Sequence, residues 1–177
     1  MLSTREPAKI EVRTAEPGDA GCACNVLRRS ISQLCEQDHR NDSAILTTWL
    51  ANKTPETVRS WIESGKNCSL VAVIDNQVAG IAILTRQGKI VLFYVAPEMC
   101  QAGAGNALLQ AIERRADEWG LRTLQVDSTL TAQQFYLRHG FTLNRTTTSA
   151  FGTEAYSLSK QLTPTGNPQK RPCRCGG

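Results

Sequence analysis

Val95-Ala96-Pro97-Glu98-Met99-Cys100-Gln101-Ala102-Gly103-Ala104-Gly105-Asn106-Ala107-Leu108-Leu109 joins an apolar run to a helical one through a tight turn that holds two glycines. The first N–H groups of a helix have no partner inside it, and the helix dipole makes that end positive, so a strand, loop and helix in this order can bind phosphate. Gly103 and Gly105 let the backbone come close to an anion, and Gln101, Ala102, Ala104 and Asn106 are small or neutral, which leaves the binding to the main chain. No lysine follows the second glycine. The loop therefore departs from Gly-x-x-x-x-Gly-Lys-Ser/Thr, and a nucleoside-triphosphate hydrolase is not expected.

Working outward, Lys89-Ile90-Val91-Leu92-Phe93-Tyr94-Val95 is almost wholly apolar and reads as a central strand covered on both faces. Residues 69–74 and 78–84 are β-rich runs parted by Asp75-Asn76-Gln77, an antiparallel hairpin. Upstream, residues 9–13 alternate as a strand, and a helix to about Leu34 follows with Val26, Leu27, Ile31 and Leu34 on one stripe, leaving Arg28, Arg29 and Gln33 for solvent or ligand. Residues 36–53 read as loop with a short helix around 44–50, and Thr54-Pro55-Glu56 starts a further helix that ends near Gly65. Downstream, a helix over 104–119 packs Leu108, Ile112 and Trp119 on the sheet; a strand over 121–126, a short helix over 131–138, and an antiparallel pair over 141–145 and 155–158 complete the chain. The expected fold is α+β: one domain over residues 1–162 with a mixed, mostly antiparallel sheet of six to seven strands flanked by about four helices, then a flexible basic tail over 163–177.

The quoted loop resembles the acetyl-CoA signature of the GNAT superfamily of N-acetyltransferases, in which a strand ending Val-x-Pro leads to Gln/Arg-x-x-Gly-x-Gly/Ala. A second segment, Ala132-Gln133-Gln134-Phe135-Tyr136-Leu137-Arg138-His139-Gly140-Phe141, is similar to that family's Ala-x-x-Phe-Tyr-x-x-x-Gly-Phe. The resemblance covers residues 9–160, with the strong motifs between Val95 and Phe141. It implies acetyl-CoA as co-substrate, an amine acceptor and no metal. It places the cofactor against Phe93, Val95, Cys100, Gln101, Ala102, Gly103, Ala104, Gly105, Asn106 and Thr129, with the loop amides on the pyrophosphate and the backbone near Val95 along the pantetheine arm. In that family the position of Tyr136 protonates the leaving thiolate.

An amine attacking a thioester also needs its ammonium deprotonated. The strand over 89–95 carries no Asp or Glu, where many relatives of this kind place a carboxylate, so Asp127 is the named candidate base. Its other reading is a strand-end residue bonded to the Ser128-Thr129 turn, and Tyr136 has one too, as a ring packed with Phe135 and Phe141 with its hydroxyl at the surface. Cys100 stands where the family has Gln or Arg, and a helix N-terminus nearby favours its thiolate. His39 falls in the variable acceptor region and reads as a surface residue. Besides acetyl transfer to a small-molecule amine, an acyl-CoA sensor without turnover and an acetyltransferase of protein lysines or N-termini stay open.

Other classes fit less well. The net charge of +4 owes three charges to Lys170, Arg171 and Arg174, which leaves too little on the body for a nucleic-acid surface. No apolar run suits a membrane span, and residues 1–7 have no stretch of signal-peptide type, so a cytoplasmic location is expected; a homodimer is compatible with the chain. Seven cysteines are an odd number, against a disulfide framework, and Cys22-Ala-Cys24 with Cys173-Arg-Cys175 is too tightly spaced for the usual paired zinc ligands.

Overall fold

The two positive φ angles at Asp75 (49°) and Asn76 (63°) make a tight two-residue turn, and they fold β2 (Cys68–Ile74) directly back on β3 (Gln77–Leu84). This hairpin is the middle of a sheet built by β1 (Ile10–Thr14), β4 (Lys89–Val95), β5 (Thr123–Ser128), β6 (Thr142–Thr148) and β7 (Glu154–Gln161), in the order β1-β2-β3-β4-β5-β7-β6. All neighbours are antiparallel except β4 and β5. The computed structural model describes residues 9–164, so the first eight residues, nearly all of the tail, and Cys173 and Cys175 lie outside it.

The described helices number six, against about four expected: α1 (Ala20–Leu34), α2 (Glu36–His39), α3 (Ser43–Leu50), α4 (Pro55–Glu63), α5 (Ala104–Glu118) and α6 (Leu130–Arg138). Within residues 36–53, α3 meets the expectation of a short helix around 44–50, and α2 is an element not expected. There α2 is a single turn stopped by Arg40 and Asn41 in left-handed conformations, and α3 starts where the Asp42 carboxylate accepts from the N–H groups of Ala44 and Ile45 (2.8 and 3.1 Å). Thr54 caps α4 as expected, accepting from the Thr57 N–H at 3.2 Å.

Strand alternation sends side chains into two layers. Leu70, Ala72 and Ile74 join Leu108, Leu109 and Ile112 of α5 on one face, while Val71, Ile81 and Ile83 join Leu27 of α1 and Val58 of α4 on the other. At Gly80 a side chain would meet Leu108 Cδ1 at 2.8 Å and the Tyr94 carbonyl oxygen at 3.0 Å, so the absence of a Cβ lets α5 settle on β3.

Two features of β4 depart from the sequence reading. Ile83 pairs with Leu92 and Leu84 with Ile90, so Val91 is the extra residue of a bulge, 49% exposed rather than covered. And β4 meets β5 only at Lys89–Gln125 and Ile90–Val126; beyond those pairs the strands separate toward their carboxyl ends. A parallel pair that parts in this way opens a crevice at the strand ends, which is where ligands bind in sheets with parallel strands.

Candidate active site

The crevice holds a cavity of about 320 Å³, walled by Ile90 to Val95 of β4, by Val126 to Thr129 at the end of β5, by Phe135 and Tyr136 of α6, and by Ser30, Leu34 and Cys35 at the end of α1. Of the expected site residues, Phe93, Val95, Cys100, Gly105, Asp127, Thr129 and Tyr136 line it together. Gln101, Ala102, Gly103, Ala104 and Asn106 lie outside the cavity wall, in the turn and first helical residues at its mouth; Gln101, Ala102 and Asn106 are exposed and Ala104 is buried.

The turn has the form an anion site needs. Gly103 adopts φ 91°, and the first bond into α5 runs from the Ala107 N–H to the Gly103 carbonyl at 3.0 Å. The amides of Ala104, Gly105 and Asn106 thus precede the helical hydrogen-bond ladder and have no acceptor within it. Gly105 serves a second purpose: a side chain there would press on Phe135 Cε2 at 3.3 Å, and that ring stacks against His139 with centroids 4.3 Å apart. Loop, gap and cavity together fit a long thioester whose phosphates sit at a helix end and whose arm enters between two strands.

Tyr136 is 2% exposed, its ring wedged against Phe93, Phe135 and Phe141 at centroid distances of 5.9, 5.3 and 5.1 Å. The expected packing and the expected place at the site therefore coincide, and the alternative of a surface hydroxyl is ruled out. Burial raises its pKa above the ordinary tyrosine range, with the Tyr94 phenol adding to the shift, so Tyr136 keeps its proton across the physiological range. Asp127 sits on the cavity wall with 43% of its side chain exposed, and its Oδ2 accepts from Lys89 Nζ at 2.7 Å, across the strand gap. Ser128 and not Asp127 bonds into the turn, through its hydroxyl to the Thr129 carbonyl at 2.8 Å.

Two expectations are corrected. His39 is buried, not a surface residue: it is 1% exposed, its Nδ1 accepts from the Asn41 N–H at 3.1 Å, and its Nε2 has no hydrogen-bond partner. The Cys100 thiolate is disfavoured, because partial burial and the Glu98 carboxylate both raise its pKa, and its Sγ donates to the Ala96 carbonyl at 3.5 Å. Cys100 precedes Gly103 by a full turn and so lies outside the short reach of the α5 dipole.

Sequence reading missed Ser30, Leu34, Cys35, Tyr94 and Thr131 as cavity residues. Their signal was weak: Leu34 belongs to the apolar stripe of α1, and Tyr94 looks like any core residue of an apolar strand. It also missed Asp38, 8% exposed, whose carboxylate accepts from the Leu130 N–H (2.7 Å), the Thr131 N–H (3.3 Å) and the Thr131 hydroxyl (2.6 Å), and so ties α2 to the first turn of α6. Among the described residues no cluster of three or more His, Cys, Asp or Glu able to hold a metal occurs, and no helix is long and apolar enough to cross a membrane.

Comparison with known proteins bears on the family and the fold. A curated relative, the uncharacterized N-acetyltransferase YafP of Escherichia coli, is 25% identical over 141 residues, 75% of this chain and 81% of the relative. A GCN5-related N-acetyltransferase from Rhodopseudomonas palustris superposes with a TM-score of 0.80 at 22% identity, over 90% of this chain and all of that one. PaiA N-acetyltransferase from Thermoplasma acidophilum, solved in complex with coenzyme A, has a TM-score of 0.72 at 18% identity, over 86% of this chain and 99% of that one. The sequence model described as the acetyltransferase (GNAT) domain matches residues 33–162, and the chain accordingly belongs to the GNAT superfamily, as an acyl-CoA-dependent N-acyltransferase.

Proposed function

We propose that the protein moves an acetyl group from acetyl-CoA to a primary amine on a small molecule, by direct attack within a ternary complex. The observation that carries this reading is a single cavity reaching the cofactor turn at Cys100 and Gly105, the strand gap at Phe93 and Val95, and two titratable side chains, Tyr136 and Asp127. Acetyl-CoA supplies the acyl thioester. The first amides of α5 hold its pyrophosphate, and the separated edges of β4 and β5 orient its arm. Asp127 draws in the substrate ammonium, exchanging Lys89 for it as counter-ion, and accepts a proton on its way to solvent. Tyr136 then donates to the departing sulfur. In balance, the amine N–C bond forms and the C–S bond breaks; the attacking neutral amine loses one proton, the sulfur gains one, and Tyr136 recovers its own from solvent.

Calorimetry with acetyl-CoA and desulfo-CoA under reducing conditions tests the first half, with Gly103→Trp as the control. Micromolar binding that disappears in the variant is expected; no binding to folded wild-type protein would sink the reading. For the second half, Tyr136→Phe should keep cofactor affinity and lose at least about a hundredfold in kcat.

A further inference from the structure

The acceptor end of the cavity is described by few residues. Ser30 and Leu34 of α1, Cys35 just after it and Tyr94 of β4 line this end, and Thr131 of α6 closes the corner. Asp127 is the one charged side chain among the described residues that line the cavity. The site is also roofed. The Thr131 hydroxyl gives its proton to Asp38 at 2.6 Å and lies 3.3 Å from the Leu34 carbonyl oxygen, so the end of α1 and the start of α6 meet, with Asp38 joining them from α2. On the neighbouring side the turn between β6 and β7 packs Phe151 on Trp49 of α3, with rings 5.2 Å apart and nearly parallel. These contacts narrow the acceptor end of the cavity, which favours a compact acceptor over an extended peptide.

Size gives a third limit. An apolar cavity of about 150 Å³ holds one benzene ring. A cavity of about 320 Å³ that must also receive the thioester end of the cofactor has room left for a body of that order.

We propose, resting on the acetyl-transfer reading, that the acceptor is a compact primary monoamine with an apolar body of about one ring or a short branched chain, seated against Ser30, Leu34, Cys35 and Tyr94. Asp127 matches its single positive charge. A carboxylate or a second ammonium would be buried opposite side chains that offer no counter-charge, which is strongly unfavourable. The group transfer balances as above: the amine nitrogen gains the acetyl carbon and loses a proton, and the thiol is released.

Matched pairs of amines test this, with the acetylated product read by mass spectrometry. Phenethylamine against phenylalanine isolates the carboxylate; butylamine against putrescine isolates the second ammonium; a lysine-containing peptide tests the roof. The expected result is a kcat/KM at least about tenfold higher for the monoamine of each pair, and little product from the peptide. Leu34→Glu, checked for folding by its acetyl-CoA affinity, should narrow or reverse the butylamine preference over putrescine. Preference for phenylalanine, putrescine or the peptide would overturn the acceptor assignment and leave acetyl transfer standing; binding of acetyl-CoA without turnover of any of the amines would overturn the assignment and favour the sensor reading. Absence of both binding and turnover would remove the acetyl-transfer reading itself.

Discussion

The carboxylate of Asp38 accepts the Leu130 N–H at 2.7 Å, a bond between residues 92 positions apart that fixes the start of α6 to the turn following α1. Thr129 already caps α6 locally, accepting from the Ala132 N–H at 3.1 Å, so Asp38 satisfies further donors of that first turn. Tyr136 rides on the same helix. Asp38→Ala leaves the Leu130 and Thr131 amides without an acceptor and should cost about 1–3 kcal/mol in urea unfolding. The same variant should lower kcat more than it raises the KM for acetyl-CoA, because the cofactor turn lies on α5 and makes no contact with Asp38 in this network. Asp38→Asn, which keeps one acceptor oxygen, should recover part of both losses.

How far the sequence reaches is visible in this pair. The strands from residue 68 to 95, the two-glycine turn and the helix after it are set by neighbours in the chain: alternation, turn residues, an unpaired helix end. Tyr136 was found through a contiguous motif. Asp38 was not, since its partners are 92 and 93 residues away and its own surroundings, Glu36-Gln37-Asp38-His39, carry no periodic apolar stripe. The covered β4 expected from seven nearly all-apolar residues fails for a similar reason. The bulge at Val91 and the parting from β5 depend on pairing register, and a local run of apolar residues does not encode register.

Gly103 and Gly120 stand at opposite ends of α5, and both have positive φ, 91° and 71°. An alanine at either forces an L-residue into the left-handed region, at about 1–2 kcal/mol. Around Gly120 nothing lies within 4 Å of a new Cβ, while at Gly103 the nearest atom is Ile10 Cδ1 at 3.3 Å. Gly120→Ala should therefore lower thermal stability and leave the affinity for acetyl-CoA where it was. Gly103→Ala should lower both, because the relaxed turn no longer presents the first amides of α5 to the pyrophosphate. Equal affinities in a titration of the two variants would remove the anion-binding role from the turn.

Alkaline pH should weaken the fold. Burial pushes the thiol of Cys35, ordinarily near 9.0, up to about 12, and it raises the phenols of Tyr94 and Tyr136 as well. Each of these groups holds its proton more tightly in the folded chain than in the unfolded one. Their contribution to stability is thus complete below the unfolded pKa and is lost as pH rises through the folded value. Lys53, whose pKa burial lowers, acts in the opposite sense but is a single group against three. The free energy from urea unfolding should hold level toward pH 9 and fall above it. Cys35→Ala, which removes the thiol, should flatten part of that fall between about pH 9 and pH 12, the window its two values define.

Cys100 lines the cavity beside the two-glycine turn, so on the proposed acetyl-CoA reading a group attached to its sulfur would obstruct the pantetheine arm. With its thiolate disfavoured by partial burial and by Glu98, Cys100 should react slowly with iodoacetamide at neutral pH and faster as pH rises. Cys22, which is exposed, provides the internal comparison, while Cys24, Cys35 and Cys68 are buried. Saturating acetyl-CoA should slow labelling at Cys100 and leave Cys22 unchanged, read by peptide mass spectrometry, and protein alkylated at Cys100 should bind the cofactor more weakly. Glu98→Gln removes the charge that opposes the thiolate and also the ion pair with Arg29 (2.6 Å), which ties the preceding turn to α1. Labelling of Cys100 should accelerate in that variant; an unchanged rate, with acetyl-CoA protection intact, would show that burial alone governs the thiol.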